Sequence, residues 1–96
     1  MYRILTNQRK AAKKLGVTIR PSTLKYKKID VYKDGFKVAS IGDVRYNDYW
    51  IYKRLERKGQ VPKGTAEQRR QSYRARHGQE CTAKGTPGYY ACKILW

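Results

Sequence analysis

Residues 25–42 read K-Y-K-K-I-D-V-Y-K-D-G-F-K-V-A-S-I-G, and the Asp34-Gly35 pair inside this run constrains the fold more than anything else in the chain. An Asp-Gly step supplies the positive φ angles of a two-residue hairpin turn, so the flanking segments are expected to pair as antiparallel strands. On the first strand Tyr26, Lys28, Asp30 and Tyr32 share one face, and Lys27, Ile29 and Val31 share the other. Phe36, Val38 and Ser40 alternate along the second strand. Two strands alone are marginal in water, so the rest of the chain must cover them.

That cover reads as helical. Asn7 is placed to cap a short helix, Q-R-K-A-A-K-K-L, closed by Gly16 in the left-handed C-terminal position. Its cations are spread around the circumference, leaving one narrow side for burial. V-T-I-R-P-S-T-L-K reads as an extended connector broken at Pro21. Asp43 is expected to cap a helix from Val44 to Lys58, with Tyr46, Tyr49, Trp50 and Lys53 on one side and Val44, Ile51 and Leu55 on another. T-A-E-Q, residues 65–68, reads as a capping box opening a helix that runs to His77 before Gly78. Thr86-Pro87 is an N-cap and N1 pair for a last helix. The expected architecture is α+β, one small domain in which a β-hairpin packs with three to four short helices. Residues 1–18 form a basic helical arm and residues 19–96 the compact domain.

How such a domain holds together is a question of composition. Leu, Ile, Val and Phe number only 17 of 96 residues, against nine Tyr and two Trp, so a shallow core built on tyrosine is expected. The tail G-T-P-G-Y-Y-A-C-K-I-L-W carries Tyr89, Tyr90 and Trp96. It is expected to close this core from within through Tyr90, Ile94 and Leu95, the rival being that Trp96 docks on a neighbouring subunit.

Twenty-three Lys and Arg face seven acids, a formal net charge of +16. Self-repulsion on this scale opposes compaction unless an anionic surface lies nearby, which directs attention to nucleic acid or acidic protein faces. No run is long enough to span a bilayer and none reads as a signal peptide, so no membrane insertion is expected and the chain should stay where it is made. The sharpest cationic feature is R-R-Q-S-Y-R-A-R-H. On a helix Arg69, Tyr73 and Arg76 fall along one face, with Arg70, Arg74 and His77 beside them, an arrangement suited to gripping a polyanion. The competing reading is a solvated helix surface in which Tyr73 alone points inward. Tyr46, Tyr49, Trp50, Tyr89, Tyr90 and Trp96 are core or interface aromatics.

Turnover finds little footing. His77 is the only histidine, the acids are scattered with no paired carboxylate motif, and no phosphate-cradling glycine loop or nucleophile elbow occurs. Neither an enzyme nor a small-molecule substrate or cofactor is expected. Cys81 and Cys92 with His77 make no recognised zinc spacing, so no metal is expected. A disulfide between the two cysteines is an alternative, with free thiols the default where nothing signals secretion.

Three segments taken in order, K-Y-K-K-I-D-V-Y-K-D-G-F-K-V-A-S-I-G-D, R-R-Q-S-Y-R-A-R-H and G-T-P-G-Y-Y-A-C-K-I-L-W, resemble a family of small basic proteins from large double-stranded DNA viruses of eukaryotes. The resemblance runs from about Ile19 to Trp96. It implies a virion protein assembled in host cytoplasm, a context with two polyanions, the acidic faces of capsid proteins and the genome. The expected function is that of a non-enzymatic minor capsid or cement protein with capsid proteins as partners. The alternative is a DNA-binding protein that neutralises the packaged genome without reading sequence.

Overall fold

In a computed structural model describing residues 1–96, the hairpin forms as expected: β2 (Lys27–Lys33) turns at Asp34-Gly35 into β3 (Phe36–Asp43). Asp34 and Gly35 both take positive φ, 53° and 83°, the requirement that selects this dipeptide. A third strand, β1 (Thr18–Pro21), pairs antiparallel with β2, from Thr18 opposite Tyr32 to Pro21 opposite Ile29. The segment expected as a connector is therefore an edge strand, and Pro21 is tolerated at its end because an edge position can forgo a ladder hydrogen bond. The sheet order is β1-β2-β3.

Ile19, Ile29, Val31, Ala39 and Ile41 line one face of this sheet and are all buried. A bulge between Val31 and Tyr32 resets the register so that Val31 faces Ala39 while Tyr32 faces Lys37. On β3 Ala39 and Ile41 take the core side, and Phe36, opposite Lys33 beside the turn, is 75% exposed. Four helices complete an α+β fold: α1 (Thr6–Lys14), α2 (Tyr49–Arg57), α3 (Thr65–Arg76) and α4 (Pro87–Leu95), with a 3₁₀ turn at Glu80–Thr82. None is long and apolar enough to cross a membrane.

α4 is the main cover of the sheet. Thr86 caps it by accepting from the Tyr89 amide at 3.2 Å, as Thr-Pro predicts, and Tyr90, Ile94 and Leu95 turn into the core. The tail thus closes the fold internally. α1 contributes Ala12 to the same core and Val17 beyond its end is buried there too, so the segment expected as an arm packs against the sheet and α4. The buried cluster is aliphatic rather than tyrosine-built: of nine tyrosines only Tyr90 is buried, with Tyr2 and Tyr89 half-buried against the cluster. Small branched chains fill a sheet face without a hydroxyl to satisfy, which explains the division. The core is also thin. The accessible surface is 6570 Å², where about 5,700 Å² is typical for a chain of this mass.

Three caps differ from expectation. α1 is opened by Leu5, whose amide donates to Gln8 Oε1 at 2.8 Å, instead of by Asn7. α2 begins after Asp48, not Asp43, with Asp48 Oδ1 accepting from the Ile51 amide at 3.0 Å. Asp43 instead ends β3 and holds Arg45 in a two-pronged pair, so Val44 and Tyr46 fall in an exposed loop. α3 is opened by Gly64, and its free amides are satisfied by Glu56 on α2, which accepts from Gly64 and Ala66 at 2.9 and 2.8 Å. The Gln68 box does not form; the α2 carboxylate does its work and ties α2 to α3. Those two amides hold the Glu56 carboxyl below its ordinary pKa.

Cys81 and Cys92, expected as free thiols, are joined in a disulfide. The 3₁₀ turn folds back over α4 and brings their Cα atoms to 5.3 Å, within bonding reach.

Candidate polyanion-binding face

The residues singled out on α3 divide into two groups with different work. Arg69, Tyr73, Arg76 and His77 line a cleft of about 540 Å³ between α3, α4 and the loop that leads into α2. Arg70 and Arg74 are spent inside the molecule. The Arg70 guanidinium lies 3.5 Å above the Tyr49 ring and 3.7 Å from Glu67, and Arg74 donates to the Trp96 backbone oxygen at 2.9 Å. The helix positions explain the division, since residues 69, 73 and 76 follow the i, i+4, i+7 spacing of one face.

Aromatic rings stiffen this face. Tyr73 stacks on Trp96 with centroids 4.7 Å apart and planes 10° from parallel, and it meets His77 at 4.4 Å. Burial, and then the Glu80 charge, raise the Tyr73 phenol pKa, so its hydroxyl stays a neutral donor. His77 Nδ1 lies 3.1 Å from Glu80 Oε1. Arg69 sits over Tyr52 at 5.6 Å, and Tyr46 on the opposite wall is 70% exposed.

Among the other aromatics, Trp50 donates its indole N–H to the Ile94 backbone oxygen at 3.1 Å, and Tyr89 packs edge-on to buried Tyr90. The Trp50 bond ties α2 to α4, and neither residue lines the cleft. Tyr52 is a cleft residue that the sequence reading left unassigned; its spacing of three from Tyr49 was the available signal.

Behind the cleft lies a buried polar network that no sequence pattern announced. Lys28 Nζ and the Tyr2 hydroxyl both donate to Asp48 Oδ2, at 3.0 and 2.7 Å, and Gln8 Nε2 donates to the Tyr2 oxygen at 2.8 Å. Lys28, Asp48 and Gln8 are 3%, 1% and 0% exposed. Burial and the Asp48 charge push the Tyr2 phenol well above its ordinary value. The network locks the start of α2 to β2 and to the N-terminal segment, and so fixes one wall of the cleft. On the rim, hydrogen bonds from Arg45 bring the Asp43 carboxyl down to about 2, so it stays ionised and matched by the guanidinium bound to it.

What the arrangement offers is recognition: two guanidiniums free to meet carboxylate or phosphate, flat rings for contact area, and a rigid frame. No three His, Cys, Asp or Glu side chains converge as a metal-holding group. Comparison with family models, curated proteins and solved structures returns no match.

Proposed function

We propose that the chain is a non-enzymatic minor structural protein of a large DNA virus particle, a basic cement protein that docks on acidic faces of capsid proteins. The observation that carries this reading is the charge left over once the fold is complete. Six of the seven carboxylates already have partners: Asp30 with Ser40, Asp43 with Arg45, Asp48 with Lys28, Glu56 with the α3 amides, Glu67 with Arg70 and Glu80 with His77. Only Lys28, Arg45 and Arg70 among the 23 Lys and Arg meet a side-chain carboxylate within 4.0 Å, which leaves 23 − 3 = 20 without one. Such a surface is stabilised by an external acidic face. The viral setting rests on the ordered resemblance of the hairpin, arginine and tail segments.

Genome neutralisation is the second reading, because a guanidinium pairs with phosphate as well as with carboxylate. The cleft favours protein. Its Tyr46, Tyr52, Tyr73 and Trp96 stand beside Arg69 and Arg76, and Tyr, Trp and Arg together are the residues that dominate protein interfaces.

The test is to find the chain in purified particles and to compare it with R69A/R76A. The reading expects the wild type in the capsid shell, the variant folded but depleted from particles, and weak duplex DNA binding at about 0.15 M salt. Absence from the shell, or undiminished incorporation of the variant, refutes it.

A further inference from the structure

A second cleft, of about 470 Å³, opens between the N-terminal segment and α2, and it shares no residue with the first. Arg3, Arg54 and Arg57 stand around it, over apolar groups from Leu5, Trp50 and Ile51. None of the three guanidiniums has a carboxylate within 4.0 Å, and no acid lines the cleft, in contrast to the first. At about 100° per residue, Arg54 and Arg57 lie roughly 140–200° around α2 from Tyr52, which lines the first cleft. One helix therefore separates two cationic clefts that face different ways.

The second cleft is preorganised as well. Its Trp50 is pinned by the hydrogen bond to Ile94 and by an edge-on contact with Tyr49 at 5.1 Å. Tyr2 is held from beneath by Asp48. A rigid floor lowers the ordering cost of binding, and unpaired guanidiniums beside an apolar floor complement a ligand that carries negative charge and an apolar group in one short span. A phosphate strand would satisfy the arginines but leave the floor uncovered. A peptide with an apolar side chain between carboxylates covers both.

We propose that this second cleft binds an acidic peptide segment bearing an apolar residue, and that the chain thereby bridges two acidic partners, one on each side of α2. The bridging half rests on the function proposed above for the first cleft; the second site itself does not.

The probe is a fluorescein-labelled peptide of alternating Glu and Leu at about 0.15 M salt, where charges more than about 8 Å apart are largely screened. The variants are R54A/R57A, R69A/R76A and the charge-matched control K10A/K84A, all at exposed positions. The wild type and the control should take up two equivalents of peptide, and each cleft variant one. Peptide-coated beads should cluster with the wild type and the control, and with neither cleft variant, because losing one site removes an avidity gain of about 10²-fold or more.

If R54A/R57A retains both equivalents, the second site is refuted while the first cleft's reading stands. If R69A/R76A retains both and R54A/R57A loses one, the second site stands and the bridging falls with the function proposed for the first cleft. Polyglutamate displacing the peptide from R69A/R76A as well as unlabelled Glu-Leu peptide does overturns the apolar contact. Oligothymidylate displacing it better overturns the peptide assignment.

Discussion

Breaking the buried pair of Lys28 and Asp48 should be among the most damaging changes the chain can suffer, and removing both charges together should be nearly harmless. Asp48 Oδ2 takes hydrogen bonds from Lys28 and Tyr2 while Oδ1 caps α2, and both charged side chains are at most 3% exposed. Asp48→Asn keeps one acceptor for the cap but puts an NH2 donor where Lys28 and Tyr2 both donate, which strands the ammonium and costs about 3–5 kcal/mol for an uncompensated buried charge. Lys28→Met strands the carboxylate, whose two remaining donors soften the loss to about 2–4 kcal/mol. K28M/D48N removes both charges and keeps the cap, so it should lie within about 1 kcal/mol of the wild type or above it. The coupling energy is then several kcal/mol, against a total stability of about 5–15 kcal/mol for a domain of this kind. Urea unfolding with a common m value measures all four corners of the cycle. Single variants costing less than about 1 kcal/mol each, with additive effects, would refute the account of this network.

Gly42→Ala should cost about 1–3 kcal/mol, since φ is +78° and the new Cβ would meet Leu95 Cδ1 and Lys28 Cδ at 2.8 Å; an unchanged melting temperature contradicts this. Reduction of the Cys81–Cys92 disulfide, which spans 11 residues, should remove about 2–3 kcal/mol by freeing the unfolded chain. C81S/C92S should match the reduced protein and ignore reductant, whereas a wild-type melting temperature unmoved by reductant counts against the bond. Tyr2 should confer an alkaline limit. Its phenol stays neutral in the folded protein while the unfolded phenol ionises at about 10, so its contribution is complete below that pH and is lost as pH rises past it. Tyr2→Phe should flatten that slope in denaturation measured between pH 9 and pH 11, roughly one unit either side of the unfolded pKa; an unaltered slope assigns it elsewhere.

How far the fold could be read from the chain follows from the range of the forces involved. The hairpin turn was legible because its positive φ angles are a demand of two adjacent residues, and the Thr86-Pro87 start of α4 because a cap acts within one helical turn. Asp43 and Asp48 are equally good caps by local chemistry. The choice between them is made by Lys28 and Tyr2, 20 and 46 residues from Asp48, and a lysine among lysines gives no sign that it will be buried. Strand β1 has four residues and acquires its identity from β2, and the bulge between Val31 and Tyr32 is a property of the strand pair.

On the arginine face the helical period gathered Arg69, Tyr73, Arg76 and His77, but it carried no information about Tyr49 and Trp96, which engage Arg70 and Arg74. The second cleft needs Arg3 beside Arg54 and Arg57, a meeting decided by where α1 and its leading residues pack.

On the function proposed here, cations left unpaired by folding, Arg69 and Arg76 among them, meet an acidic protein surface. Binding isotherms of the wild type and R69A/R76A, taken on an acidic polypeptide and on duplex DNA at about 0.15 M salt, test it directly. The account predicts tighter binding to the polypeptide than to DNA, with the polypeptide affinity falling at least about tenfold, or about 1.4 kcal/mol, in the variant. Tighter binding to DNA, or equal polypeptide affinity for the two proteins, would contradict it.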